Sequence, residues 1–303
     1  MGRLGAHVSA SGGVHHVFQR GVEVGCDAIQ IFTRNQRQWN PLPLDPQVIR
    51  KFFDERAASP IRYIASHASY LINLASPEPE QWEKSKYALF DEMNRAQLLR
   101  LNSVVVHPGS HKGKGVSFGI SRIADAVNWL FERMPEVNCS LLLENTAGQG
   151  DQLGSTFQEL SEIINRIHLN QNVGVCIDTA HAFEAGYDLA SASGYRQTMD
   201  TLLSSIDINR IQLFHLNDSK TGLGSRKDRH ENIGMGDLGL RAFEWLLQDS
   251  RFEESPMILE TPGGDEWFET NLKLLRSMET RPSNHSISVP ESFPETNRRK
   301  YVD

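Results

Sequence analysis

The sequence has little cysteine, no long apolar run and no surplus of positive charge. Each shortage excludes something. The three cysteines, Cys26, Cys139 and Cys176, form no CxxC pair. They argue against a disulfide framework or a thiolate metal cluster and read as reduced core thiols in a cytosolic protein. No apolar stretch approaches the ~20 residues that span a bilayer, so no membrane partner is expected. The N-terminus MGRLGAHVSA lacks a charged-then-apolar signal pattern, and Ala6 breaks the myristoylation motif after Gly2. Without such a signal the sequon Asn138-Cys139-Ser140 carries little weight. The formal net charge of −7 counts against a nucleic-acid partner, since such proteins usually show a basic face. That objection is incomplete, because bound metal ions lie outside the formal count.

The chain has 303 residues, 39% of them hydrophobic, which is ample for a sizeable core. Short apolar runs recur at 4–8, 28–32, 61–66, 103–107, 140–144, 173–178, 211–216 and 256–260. Several, such as SVVVH and SLLLE, are nearly continuous, the mark of parallel strands covered on both faces. Helical patterns lie between them at 13–24, 47–58, 79–101, 120–134, 156–167, 195–205, 240–247 and 265–278. Eight strands alternating with eight helices predict an α/β fold, a (β/α)₈ TIM barrel; a doubly wound open sheet is the alternative. Residues 1–280 read as one domain. The Pro/Ser-rich stretch 281–303 lacks periodicity and reads as a flexible tail.

The strand ends carry the chemistry. His7, His67, His107, Glu144, Asp178 and Glu260 stand at or beside expected strand ends, and the seventh strand includes His215. His181 follows Asp178 by three residues, and Asp228 and His230 occupy the loop after the seventh strand. In a barrel these ends converge on one face. A single histidine at a strand end is more often hydrogen-bonded structure than ligand. Four carboxylates in one bowl are different, since desolvation and mutual repulsion disfavour them without cations. The imidazole and carboxylate mixture suits Zn²⁺, Mn²⁺ or Fe²⁺, and nine candidate ligands suggest two or three ions. His7 is left over and reads either as a donor behind the ligands or, in preference, as a satisfied core residue.

The stretch SRKDRHENIGMGDLG contains Gly234, Gly236 and Gly239, a formal GxGxxG. It follows a loop and not a strand, so it lacks the context of a dinucleotide site. Its glycines read as turn formers. Asp228-x-His230 has the alternate spacing that lets two side chains of an extended loop face one ion.

At these residues the sequence resembles the endonuclease IV family of metal-dependent apurinic/apyrimidinic (AP) endonucleases. The blocks GAHVSASGG, IFTRNQRQW, HASYLINLASP, VVHPGSH, LLLENTAGQG, GVCIDTAHAFEAGYD, FHLNDSK, GSRKDRHENIG and ILETP carry the resemblance in order over residues 3–278. It implies a TIM barrel with three Zn²⁺ ions, Mn²⁺ being an alternative in one place. His67, His107 and Glu144 would hold the first. Glu144 would bridge to a second held with Asp178, His215 and Glu260. His181, Asp228 and His230 would hold the third. Glu144 and Glu260 are thereby the expected catalytic carboxylates. Three Zn²⁺ would bring the formal charge from −7 to −1. Ala68 and Met235 depart from residues common in the family.

The implied reaction is cleavage of the phosphodiester 5′ to an AP site, leaving a 3′-hydroxyl and a 5′-deoxyribose phosphate, with removal of 3′ blocking groups. The implied partner is double-stranded DNA carrying AP sites or blocked 3′ ends. The expected protein is a cytoplasmic monomer that acts on the nucleoid. Loop residues Arg34, Arg37, Trp39, Tyr70 and Leu71 would contact DNA, enter the minor groove and extrude the abasic nucleotide. Two other readings are a sugar-phosphate isomerase or epimerase on a related barrel, and a non-catalytic lesion-binding protein.

Overall fold

The structure, a computed structural model, describes residues 3–279; the expected tail at 281–303 lies outside them. The strands are β1 (Leu4–His7), β2 (Ala28–Ile31), β3 (Tyr63–His67), β4 (Ser103–Val106), β5 (Ser140–Glu144), β6 (Val173–Asp178), β7 (Ile211–Leu216), the short β8 (Asp218–Ser219) and β9 (His230–Glu231), and β10 (Met257–Leu259). Eight close into a barrel in the order β1-β10-β7-β6-β5-β4-β3-β2. All their pairings are parallel. Closure of β1 on both β2 and β10 excludes the open sheet.

The wall explains the position of the site. Side chains of a strand alternate between its faces. Ala28, Ala65, Val105, Leu142, Cys176, Leu213 and Ile258, one from each of seven strands, form a separate buried cluster. The eighth strand supplies Gly5, where a Cβ would lie 1.7 Å from the Ala28 carbonyl oxygen. Two positions further along, the same alternation sets His7, Gln30, His67, His107, Glu144, Asp178, His215 and Glu260 above that layer. Apolar burial thus forms the floor of the bowl and strand periodicity lines it.

The helices are α1 (Val17–Glu23), α2 (Pro46–Ala58), α3 (Pro79–Leu98), α4 (Val116–Arg133), α5 (Phe157–Asn165), α6 (Thr179–Ala185), α7 (Ala192–Ser205), α8 (Leu240–Gln248) and α9 (Asp265–Glu279). Their starts follow local chemistry. Asp45 caps α2 by accepting from the Gln47 N–H, with Pro46 in the first turn. Thr156 caps α5 by accepting from the Glu159 N–H. The expected helix at 13–24 begins as a 3₁₀ turn, Val14–His16, because Gly13 at φ 134° bends the chain there. The helix expected to reach 101 stops at Leu98, and Arg100 has φ 50°. Helix α6 was not anticipated; its seven residues are too few for a periodic pattern. No helix among the described residues is long and apolar enough to cross a membrane.

Candidate metal centre

Three overlapping groups of ligand atoms meet in the bowl. His67, His107 and Glu144 form one; Glu144, Asp178, His215 and Glu260 form the second; Asp178, His181 and His230 form the third. Within each, the atoms lie within 4.8 Å of one another. The third differs from expectation by drawing on Asp178. Asp228 lies beside it, its carboxylate 3.4 Å from His181 Nε2 and 3.7 Å from His230 Nε2. Glu144 is fully buried and shared. Its Oε2 lies 3.0 Å from His67 Nε2 and 3.4 Å from His107 Nε2. Its Oε1 lies 3.0 Å from His215 Nδ1 and 3.4 Å from His181 Nδ1.

The donor set fits divalent cations because the imidazoles are oriented for them. A ligating histidine usually gives its other ring N–H to a protein acceptor. His67 Nδ1 faces the Ala68 carbonyl at 2.8 Å and His181 Nδ1 the Asn145 carbonyl at 3.0 Å. His230 Nδ1 faces the Glu260 carbonyl at 3.3 Å, and His215 Nε2 faces Gln30 Oε1 at 2.9 Å. With those nitrogens donating, Nε2 of His67, His181 and His230 and Nδ1 of His215 present lone pairs to the carboxylate cluster. His107 points Nε2 at Glu144, while its buried Nδ1 has no hydrogen-bond partner among the described residues. The Ala68 contact is through backbone, so the side chain at this family departure does not enter it.

Further side chains hold the carboxylates. Gln30 Nε2 donates to Glu260 Oε1 at 2.6 Å. His7 Nδ1 lies 3.1 Å from the same oxygen. Of the two readings of His7 this favours the donor behind the ligands over the satisfied core residue: it is tied to Glu260, and its Nε2 is buried without a partner among the described residues. Asn217 Nδ2 donates to Asp178 Oδ2 at 2.7 Å, and its Oδ1 accepts from the Glu260 N–H at 3.0 Å. Asp178 also caps α6, accepting from the His181 N–H at 2.9 Å, so one carboxylate both starts the helix and fixes His181. Sequence reasoning missed Gln30, Asn145 and Asn217. Their signal was a polar residue in or just beyond a strand, and Gln30 shares the inward direction of Ala28.

Electrostatics agree with a centre that demands positive charge. Burial pushes the Glu144 carboxyl upward, but the His107 and His215 imidazoles and the hydrogen bonds from His181 and His215 hold it well below the usual range. Burial opposes charge on His181, yet Asp178, Asp228 and Glu144 raise it well above an ordinary imidazole. Burial likewise disfavours charge on Asp228, and the hydrogen bond from His181 and nearby imidazoles bring it down to about 2. Protons on imidazole or divalent cations can supply that charge.

The glycine-rich stretch wraps a carboxylate of its own. Asp218 Oδ2 accepts from the Gly234 N–H at 2.9 Å, and Oδ1 from Ser219 and Leu238 at 2.8 and 3.0 Å. A Cβ on Gly236 would lie 2.2 Å from the Ser219 carbonyl oxygen. The loop is therefore an anion cradle already filled from within the chain.

The residues expected to meet DNA separate into two kinds. Arg37 is exposed and Tyr70 is 66% exposed. Leu71 and Trp39 are half-buried, Trp39 against the core. Arg34, expected at the surface with them, is buried: it bonds Asp91 Oδ2 at 3.2 Å and the Gln38 carbonyl at 2.9 Å, which shapes the loop. Tyr70, Ser69, Asn73, His107 and Asp228 line a cleft of about 290 Å³ beside the first group.

A closed parallel barrel with a His/Asp/Glu centre at its strand ends defines a class, and residues 18–278 match the family described as xylose isomerase-like TIM barrel. A probable endonuclease 4 of Citrifermentans bemidjiense is 47% identical over 280 residues, 92% of this chain and 99% of the relative. One from Chloroflexus aurantiacus is 45% identical over 92% of this chain and 98% of its own. The crystal structure of endonuclease IV from Thermus thermophilus matches with a TM-score of 0.82 and 35% identity, over 91% of this chain and 98% of that one. The chain belongs to the endonuclease IV family. A D-tagatose 3-epimerase-like protein, 20% identical with a TM-score of 0.71 over 91% of this chain and 96% of its own, shares the fold alone.

Proposed function

We infer that the protein is a DNA-repair endonuclease that hydrolyses the phosphodiester 5′ to AP sites in double-stranded DNA, leaving a 3′-hydroxyl and a 5′-deoxyribose phosphate. The same centre would remove 3′ blocking groups. In this reading residues 1–280 work as one barrel domain, as a monomer in the cytoplasm. The observation that carries it is the sharing of Glu144 and Asp178 between neighbouring ligand groups, which makes one continuous centre of three. His67, His107 and Glu144 would hold one Zn²⁺; Glu144, Asp178, His215 and Glu260 a second; His181, His230 and Asp228, with Asp178 beside them, a third, where Mn²⁺ could substitute. When bound, such ions activate water near neutral pH and offset the charge that develops on phosphate and leaving oxygen.

The chain's own groups do the rest. Gln30, His7 and Asn217 keep Glu260 and Asp178 aimed inward. Glu144 presents one oxygen to each of two groups, which fixes their separation. Tyr70 and Arg37 are exposed on loops after adjacent strands, and in this reading a ring and a cation there fill the gap left by a missing base and hold a bent duplex. An epimerase needs fewer ions and gives no reason for the Asp228/His230 arm.

The test uses purified protein and an abasic duplex, with metal analysis alongside. About three ions per chain are expected, with incision only 5′ of the lesion, lost with chelator and restored by Zn²⁺. One ion or fewer with full activity would overturn the reading.

A further inference from the structure

Two of the proposed ligands, Asp228 and His230, come from a loop and not from the barrel wall, so something must hold that loop. Helix α6 lies directly beneath it. The Gly224 N–H donates to the Phe183 carbonyl at 3.0 Å and the Arg226 N–H to the Glu184 carbonyl at 2.9 Å. The Glu184 side chain, itself buried, reaches further. Its Oε1 accepts from Ser219 Oγ at 2.6 Å, from Thr221 Oγ1 at 3.3 Å and from the Arg229 N–H at 3.1 Å. One oxygen thus joins the start of the loop at 219–221 to the residue between Asp228 and His230. Glu184 Oε2 is buried without a hydrogen-bond partner among the described residues. Leaving it so is costly, and the three bonds at Oε1 offset that cost. The β8–β9 pairing of Ser219 with His230 closes the same loop from the other side.

We propose that Glu184 is a positioning residue that fixes the 219–231 loop and so sets Asp228 and His230 at the third ligand group, strengthening its hold on a divalent cation. The proposal rests on the reading of the centre given above. It concerns geometry: an acceptor at Oε1 is required, and a negative charge is not.

The experiment compares the full chain with Glu184→Ala and Glu184→Gln. Zn²⁺ is titrated into metal-free protein, and amide hydrogen exchange is followed over 219–231 without metal. Glu184→Ala should weaken one of three Zn²⁺ sites by about 10- to 100-fold and leave the other two unchanged. It should speed exchange at Arg229 about tenfold or more. Glu184→Gln keeps an acceptor at the same place and should restore both. Wild-type affinity at all three sites in the alanine variant would overturn the proposal, as would equal weakening at every site. So would a glutamine variant as defective as alanine. A wild-type chain that holds a single ion would sink the reading of the centre; the exchange comparison, made without metal, would still decide whether Glu184 orders the loop.

Discussion

Replacing Asp218 by alanine tests whether the glycine-rich stretch is held by an internal anion. The carboxylate accepts three close backbone N–H bonds, at 2.8, 2.9 and 3.0 Å, and a longer one from Gly239 at 3.4 Å. Without the carboxylate the three donors are left buried and unpaired, at about 1–3 kcal/mol each and roughly 6 kcal/mol together. Against this stands burial of the charge. Burial pushes the Asp218 carboxyl from 3.8 up to about 6 despite those donors, a shift that costs about 3 kcal/mol at neutral pH. The unpaired donors outweigh the relief of the buried charge, and Asp218→Ala should lower unfolding free energy by about 3 kcal/mol, read by urea denaturation of the metal-free protein. The pH dependence has a definite sign. A folded-state value raised above the unfolded one gives stability that is complete below about pH 4 and lost as pH rises through about 6. Relative to Asp218→Asn, which cannot titrate, the wild type should therefore lose about 3 kcal/mol across that window. A loss below about 1 kcal/mol in the alanine variant, the size of an ordinary substitution, would refute the argument. A stability advantage of wild type over Asp218→Asn that grows with pH would do so independently.

Glu260→Gln removes one negative charge from the ligand set at nearly constant shape; cleavage should fall by about 100-fold or more, with DNA binding and the unfolding midpoint near wild type, and near-native turnover would reject the ligand role. The double change Arg37→Ala, Tyr70→Ala should weaken binding and cleavage of abasic duplex, stacking alone being worth about 1–3 kcal/mol. It should spare metal content and hydrolysis of a small activated phosphodiester; equal losses on both substrates would show that these residues support the centre. Burial pushes the thiols of Cys26, Cys139 and Cys176 up to about 12. The native protein should therefore show no thiol reactive with a disulfide reagent at pH 8, and three after denaturation. The same shifts favour the protonated thiols of the folded state, so stability should fall above about pH 9, by about 4 kcal/mol at pH 10 for the three together.

The strands were legible because burial on both faces forces continuous apolar runs, and 140–144, 173–178 and 211–216 are placed to the residue. Ends were less so: β3 begins at Tyr63, two residues beyond the expected 61, because where pairing starts depends on neighbours and not on local pattern. The candidate ligands were legible as types and positions. Their partners were not. His7 meets Glu260 across 253 positions of sequence, a contact that only barrel closure creates. The burial of Arg34 was not legible either. An arginine in a polar loop reads as exposed, and its acceptors are the Gln38 carbonyl of its own loop and Asp91, which packing of α3 brings against that loop.

The fold and the centre share one determinant, strand register. Eight inward positions form the apolar floor, and eight more, two residues on, hold the polar layer. A one-residue slip of any strand turns its inward side chains outward. In β5 such a slip would swing Leu142 out of the floor and Glu144 out of two ligand groups at once. The apolar cost opposes it: expelling a buried leucine loses about 1.5–3 kcal/mol, repeated at every inward position of the strand. The floor therefore enforces the register that a cluster of buried carboxylates, left to its own repulsion, would not keep. The residues with no chemistry of their own, from Gly5 to Ile258, are what hold Glu144 where its two oxygens can serve two groups.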